Sequence, residues 1–335
     1  MTTSYSHSAI QLYRLCPLRF KGHYIDCLEP LQPPSRHDLD FGAAWHAGVA
    51  WLRDGSTVDE ARVKFTMAYP PSAYPNPLPS YRNSISGKSY SNGLNALQVY
   101  RDRWEDDDRH HEVLHVEERM TNNDGHTLKL DLITRDRRDG QVYGWDSKTT
   151  SSYLNGDYWQ RYDPDSQVRF YTDHIKAKYG HCGGFYIDAA RFYHYTKAYT
   201  PRTGPEKGVQ KPAGDYVDFA RMLFNPNEDC LQLERDNREY WIGRIEHDKT
   251  TGLWGYNDQA CRQYGRECEY LKLCSAGYTF PRDEELVLSY YRQQCPRVLD
   301  AGRCQLGLDH AGECDPSVPV QDDYEIEPEV ENAIR

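Results

Sequence analysis

Between residues 112 and 150 the chain presents three consecutive alternating segments, EVLHVEERM, HTLKLDLITR and QVYGWDSKT. They are joined through Asn-Asn-Asp-Gly and Arg-Asp-Arg-Arg-Asp-Gly. Alternation at period two marks strands, and an Asp-Gly step suits the positive backbone angles of tight hairpin turns. Nothing else in the sequence limits the fold as strongly, because three strands so linked must lie side by side in one sheet. The second and third each carry an aspartate where a core would use an apolar residue. These are Asp131 in LDLI and Asp146 in WDSKT, and Lys148 follows Asp146 after one residue.

Downstream, DSQVRFYTDHIKAKYG reads as a helix with Val168, Thr172, Ile175 and Tyr179 as its inner stripe and Gly180 just past its end. GGFYIDAARFYHYTK then reads as a further strand. Upstream, Ser6 is a good N-cap for a helix through SAIQLYRLC, which Pro17 ends or redirects. FGAAWHAGVAWLRDG predicts a helix over 41–53, the Pro-, Ser- and Tyr-rich stretch 70–92 a loop, and a further helix follows over 93–105. Strands interleaved with helices predict an α/β body over residues 1–280. A small cysteine- and histidine-containing appendage is expected over 281–316 and a disordered acidic tail over 317–335.

The 335 residues suffice for one large core plus an appendage. No apolar run is long enough to span a bilayer, so no membrane partner is expected. The N-terminal stretch lacks a basic segment followed by an apolar one, so a cytoplasmic location is expected. The ten cysteines are accordingly read as thiols or metal ligands in a reducing compartment. A net charge of -11 argues mildly against nonspecific nucleic-acid binding, although the tail is acidic and the body without it is closer to neutral. The 27 tyrosines can stack on bases, but most are expected in the core or at interfaces.

Two aspartates on neighbouring strands can bring their carboxylates to one cation, and hard oxygen ligands suit Mg²⁺ or Mn²⁺. The carbonyl of Ser147 offers a main-chain ligand. Lys148, two residues past Asp146, points to the same sheet face, where an ammonium can orient a water or steady a phosphorane-like transition state. The competing reading makes Asp131 and Asp146 solvent-facing strand ends with Lys148 in a cross-strand pair.

Four stretches in order resemble the PD-(D/E)XK nucleases, and within them the RecB-like branch of CRISPR-associated, AddB-type and phage exonucleases. SYSHSAIQLYRLCPLRF resembles the branch's opening segment. FGAAWHAGV resembles its Gly-x-x-x-His helix, LDLI and WDSKT its acid-acid-lysine strands, and QVRFY its Gln-x-x-x-Tyr helix. The resemblance implies a restriction-endonuclease-like core, with a central mixed sheet flanked by helices and N- and C-terminal segments joined at a cysteine cluster. It makes His46 a third metal ligand beside Asp131 and Asp146, and it places Gln167 and Tyr171, four apart on one helix face, against the active site.

ACRQYGRECEYLKLC holds Cys261, Cys268 and Cys274. The resemblance supplies Cys16 as the remote fourth ligand of a [4Fe–4S] cluster. The first cysteine interval is longer than the branch pattern, Cys27 is an alternative to Cys16, and zinc or free thiols compete with the cluster. A second group, Cys295, Cys304, His310 and Cys314, is spaced for a small zinc site or is a chance cluster.

The leading expectation is a Mg²⁺- or Mn²⁺-dependent deoxyribonuclease, an exonuclease of recombination, repair or DNA processing. It would act on single-stranded DNA or duplex ends beside a recombination or replication protein, in the host cytoplasm if phage-encoded. The alternative is a non-cutting nucleic-acid-binding or assembly protein that keeps the fold, although retention of Asp131, Asp146 and Lys148 together speaks against it. A redox protein is disfavoured by the lack of a dinucleotide glycine fingerprint. Arg135, Arg137 and Arg138, or Lys176 and Lys178, are the candidate substrate patches.

Overall fold

The computed structural model describes residues 5–31, 37–73, 87–121, 127–163, 165–200, 207–263, 266–277 and 282–293, with the short pieces 298–299 and 302–303. Cys295, Cys304, His310, Cys314 and the acidic segment 317–335 lie outside them. The chain divides into two compact units, Met1–Ile10 with Ser35–Arg244, and Gln11–Pro34 with Ile245–Arg335.

The first unit is built on a five-stranded sheet of β1 (His111–Thr121), β2 (Thr127–Asp136), β3 (Val142–Thr150), β4 (Gly184–Tyr195) and β5 (Gly214–Phe224), in that spatial order. The first three strands form the antiparallel meander that the Asp-Gly turns predict. β4 runs parallel to β3, so the chain must cross over between them. The crossover carries two helices, α1 (Gly156–Gln160) and α2 (Ser166–Tyr179). β5 then returns antiparallel to β4, which makes the sheet mixed.

Local chemistry accounts for the helix ends. Asp165 caps α2 by accepting from the backbone N–H groups of Gln167 and Val168, at 2.6 and 3.1 Å. Gly180 closes α2 at φ 78°, a left-handed conformation that glycine adopts without a Cβ clash. The helix holding His46 spans His37–Arg53, starting four residues before the sequence expectation. A helix that the sequence reading did not expect, Val58–Ala68, begins with a capping box. Thr57 Oγ1 accepts from Glu60 N, and Glu60 Oε2 accepts from Thr57 N. The helix expected over 93–105 spans Tyr90–Asp108.

Helices cover both faces of the sheet. Phe41, Trp45, Phe65, Leu97 and Tyr100 pack with Phe192 and Phe219 of β4 and β5 in one apolar cluster. Val168, Phe170 and Ile175 of α2 pack with Leu130, Ile133, Phe185 and Ile187 in another. Burial on both faces explains why β4 reads as a nearly continuous apolar run.

In the second unit, Leu28–Pro30 pairs antiparallel with Tyr291–Gln293, and Leu28, Tyr270, Leu273, Val287 and Tyr291 form its core. Arg19 grips Glu269 through two contacts, at 2.9 and 2.7 Å, and Asn257 Nδ2 donates to the carbonyl of Leu15 at 3.0 Å. These contacts hold residues about Cys16 against residues about Cys268, which are remote in sequence.

Candidate active site

The site forms where the β2–β3 ladder stops. Paired residues run from Arg135 opposite Val142 to Leu132 opposite Trp145, and the next rung would join Asp131 to Asp146. Instead, Asp131 turns its carboxylate onto the third strand, where Oδ2 accepts from the amide of Ser147 at 3.1 Å. The helix His37–Arg53 brings His46 Nδ1 to 3.1 Å from the same Asp131 oxygen. One potential ligand atom from each of His46, Asp131 and Asp146 lies within 4.8 Å of the others. Three side chains from a helix and two strands thus converge on one point.

Lys148 Nζ lies 2.5 Å from Asp146 Oδ2. The contact is an ion pair without the angles of a well-directed hydrogen bond. Burial pushes the Asp146 carboxyl up to about 6, and the neighbouring Asp131 carboxylate adds to this, against the opposing pull of Lys148 and His46. For Lys148, burial works to lower the pKa, but the carboxylates of Asp146 and Asp131 outweigh it and hold the amine above its ordinary value. The amine is therefore an ammonium at neutral pH. A buried acid held against a second acid is short of positive charge, and that is the electrostatic condition a divalent cation relieves.

Gln167 and Tyr171 meet as their i, i+4 spacing requires, with Gln167 Nε2 donating to the Tyr171 hydroxyl at 3.1 Å. Burial raises the Tyr171 phenol, which also feels the charges of Asp146, Asp131 and Lys148. Tyr171 thus lies within electrostatic reach of the carboxylates, and Gln167 holds its hydroxyl. Close approach of α2 to β3 depends on Gly144, where an added Cβ would lie 2.5 Å from both Ile175 and Phe185.

Two neighbours escaped sequence reasoning. The hydroxyls of Tyr158 and Tyr162 lie 3.3 Å apart. Burial raises both phenols, with Lys148 acting on Tyr158 and Asp146 on Tyr162. Their i, i+4 spacing was the available signal, in a segment that otherwise reads as a loop. On the preceding strand, Glu117 adopts φ 51° and pairs with Lys129 at 2.9 Å.

The basic patches are largely tied to acids. Arg138 holds Asp136 through several nitrogens, Arg135 lies 3.7 Å from Glu112, and Lys176 pairs with Glu228. Such pairing leaves little net field for a phosphate.

The second unit holds the cysteine group. Burial pushes the Cys274 thiol up to about 11, and its electrostatic neighbours are Cys268, Cys16 and Cys261. Cys268 N donates to the carbonyl of Cys261 at 2.8 Å. Cys27 directs its Sγ at the carbonyls of Tyr24 and Ile25, at 3.9 and 3.8 Å.

The family model of the PD-(D/E)XK nuclease superfamily matches residues 4–275. The chain belongs to the PD-(D/E)XK nuclease superfamily. The fold expected from the sequence is the one observed, a central mixed sheet flanked by helices. Among solved structures, a protein from Eubacterium rectale provisionally named an exonuclease is 14% identical, with a TM-score of 0.46 over 77% of this chain and 85% of that one. No curated protein matches the chain. No helix among the described residues is long and apolar enough to cross a membrane.

Proposed function

We propose that this nuclease is a Mg²⁺- or Mn²⁺-dependent deoxyribonuclease whose ion is held by His46, Asp131 and Asp146, with the carbonyl of Ser147 as a main-chain ligand. The observation that carries the reading is the convergence of three ligand atoms within 4.8 Å, beside an ammonium paired to Asp146. Two carboxylates and one imidazole form a donor set suited to these ions. When bound, the cation supplies Lewis acidity, which lowers the pKa of a water and neutralises charge on the scissile phosphate.

The chain's own residues do the rest. Asp131 is fixed at Oδ2 by the Ser147 amide and by His46, which orients the carboxylate as a ligand. Lys148 keeps its proton and provides a cation beside the carboxylates, where it steadies negative charge developing on the phosphate. Tyr171, neutral and held by Gln167, is a hydrogen-bond donor at the rim of the same group. Lys148 and Tyr171 therefore bind and orient, and Asp131 and Asp146 organise the ion.

We further assign Cys16, Cys261, Cys268 and Cys274 to a [4Fe–4S] cluster, as in the RecB-like branch. Support comes from the electrostatic grouping of these four thiols. Its function would be mechanical, linking residues near the start of the second unit to residues about 250 positions later, a closure that removes freedom from the unfolded chain. The assay for the enzyme is incubation with end-labelled single- and double-stranded DNA with Mn²⁺ or with excess EDTA, beside Asp146→Asn. Release of mononucleotides supports exonuclease action, and internal fragments from circular DNA support endonuclease action. Cutting that persists in EDTA or in Asp146→Asn defeats the metal mechanism.

A further inference from the structure

The face of the sheet that carries Asp146 and Lys148 does not end at the metal ligands. Asp146, Lys148 and Thr150 of β3 are paired with Ile187, Ala189 and Arg191 of β4, and residues so paired project to the same side. Two and four residues further along β4, the same side carries Tyr193 and Tyr195. Across the antiparallel pairing with β5, Arg191 faces Asp218 and Tyr193 faces Tyr216. The row of Arg191 lies two residues beyond that of Lys148, about 7 Å along the strand.

On this extension the side chains form a stack. The Arg191 guanidinium sits 3.7 Å from the Tyr153 ring centroid on one side and 3.9 Å from that of Tyr193 on the other. Tyr193 in turn lies on Tyr216 at 5.6 Å, nearly parallel at 17°. Tyr195 stacks on Tyr199 at 4.8 Å. Asp218 locks the arrangement by accepting from Arg191 at 3.0 Å and from the Tyr193 hydroxyl at 3.1 Å. The series ends in water, with Tyr153 61% exposed and Tyr199 39% exposed. Lys211 Nζ lies 5.1 Å over the Tyr216 ring, so cations border the aromatic series as well as interleave with it.

Arg191 and Tyr193 are buried at the base of the series, whereas Tyr153 and Tyr199 leave their rings open to water. Two stacked pairs, Tyr193 on Tyr216 and Tyr195 on Tyr199, meet edge-on at 74° between Tyr193 and Tyr195, and the exposed rings of Tyr153 and Tyr199 suit a ligand with planar faces. We propose that this series is a stacking platform for the unpaired bases of a single DNA strand whose backbone enters the metal site, with Tyr153 and Tyr199 as the rings that bases cover. The inference rests on the nuclease reading and deepens it by naming the substrate class. Every base has a π-face, so stacking binds a strand without sequence preference. In a duplex those faces are already stacked on their neighbours, and the platform has nothing to hold.

The test is fluorescence anisotropy of the full-length protein in EDTA, which prevents cutting, with a labelled oligo-dT and a labelled hairpin duplex. Tyr153→Ala and Tyr199→Ala are each expected to weaken oligo-dT binding about 5- to 150-fold, the range of one lost base–aromatic stack. Duplex affinity is expected to stay unchanged. Tyr153→Phe, which keeps the ring, is expected to bind oligo-dT as wild type does. Both tyrosines are exposed, so their replacement leaves the fold intact, which thermal melting checks. Unchanged oligo-dT binding in the alanine variants overturns the platform and leaves the face to some other macromolecule, such as a protein. Equal losses on oligo-dT and duplex overturn it as well. Failure of the nuclease reading would appear separately, as wild-type protein that cuts neither DNA with Mn²⁺ while its oligo-dT binding still depends on Tyr153.

Discussion

Replacing Lys148 by Met separates two things the ammonium does, because they respond to pH in opposite ways. Asp146 is buried, and with Lys148 beside it its carboxyl already titrates at about 6. At that pH roughly half of the sites must lose a proton to accept a cation, so binding releases about half a proton per site. One unit higher the release falls to about a tenth of a proton by the same titration. Removing the ammonium takes away the nearest charge that favours the carboxylate, while burial and Asp131 still disfavour it. A further rise of about one to two units is the ordinary size of such a loss. Mn²⁺ binding by Lys148→Met at pH 7 is then expected to be about two- to tenfold weaker than wild type, with a larger proton release. Near pH 9 the Asp146 carboxyl is largely ionised in either protein, and no ammonium competes with the ion for Asp146 Oδ2 in the variant. Its affinity is expected there to equal or exceed that of wild type. DNA cleavage is nonetheless expected to stay at least about a hundredfold down at every pH, since transition-state charge loses its partner. Isothermal titration calorimetry with Mn²⁺, in buffers of different ionisation enthalpy, gives both affinity and proton release. A deficit that persists unchanged at pH 9 refutes the electrostatic argument and makes Lys148 a packing residue.

Three further outcomes can be checked directly. Asp131→Asn is expected to lower cleavage by at least about a hundredfold, as loss of a preorganised electrostatic group does, and to weaken Mn²⁺ binding without the pH 9 recovery. His111 is buried, which, with Arg53 alongside, holds its pKa down at about 4 against an ordinary 6.5. The unfolded chain then binds the proton first, so stability is full above pH 6.5 and declines as pH falls towards 4, by roughly 3 kcal/mol at most. Chemical denaturation of His111→Gln across that window is expected to show a flatter decline, and an identical slope would exclude His111 as the cause. Cys274→Ser, purified without oxygen, is expected to lose iron and acid-labile sulfide. An unchanged iron content would remove Cys274 from the cluster.

What the sequence disclosed follows the range of the interactions involved. The meander and α2 were legible because their signals are local, namely alternation, Asp-Gly steps, the Gly180 terminus and an apolar stripe. The meeting of His46 with Asp131 joins residues 85 positions apart, and no periodicity encodes it. It became an expectation only through a resemblance carried by the residues about each. Strand β5 and the long helix Glu228–Thr251 went unread because their charged and apolar residues follow no clean period. The helix Val58–Ala68 carries a local signal in the capping box of Thr57 and Glu60, short enough to be lost in a charged stretch. Least legible was the buried ionic group of Arg53, Asp188 and Arg221 with the Tyr100 hydroxyl. Charged residues in strands and helices normally face water, and only the assembled core shows that these do not.

That same group bears on why a sheet tolerates acids where side chains should be apolar. Ser147 and Asp188 are paired across β3 and β4, so the buried ionic group begins one residue from Asp146 and on the opposite face. Asp188 there accepts at Oδ2 from Arg221 at 3.2 Å and from the Tyr100 hydroxyl, a buried carboxylate held by donors that the protein itself supplies. Asp146, on the other face, is satisfied incompletely, by one ammonium that leaves its oxygen without a well-directed donor. The two aspartates lie at similar depth, both within 4% of full burial, and differ in what completes them. Where the structure needs a permanent carboxylate it supplies permanent partners. Where it leaves one carboxylate underprovided, beside a second acid and an imidazole, the missing charge is left for an exchangeable ion to bring. Supplying the missing charge permanently, for instance by His46→Arg at the part-exposed helix position beside Asp131, should therefore lower Mn²⁺ affinity by tenfold or more while the acid network on the other face stays intact. Calorimetry on that variant, with thermal melting to show that it folds, decides the point, and undiminished Mn²⁺ binding would mean the ion sits elsewhere.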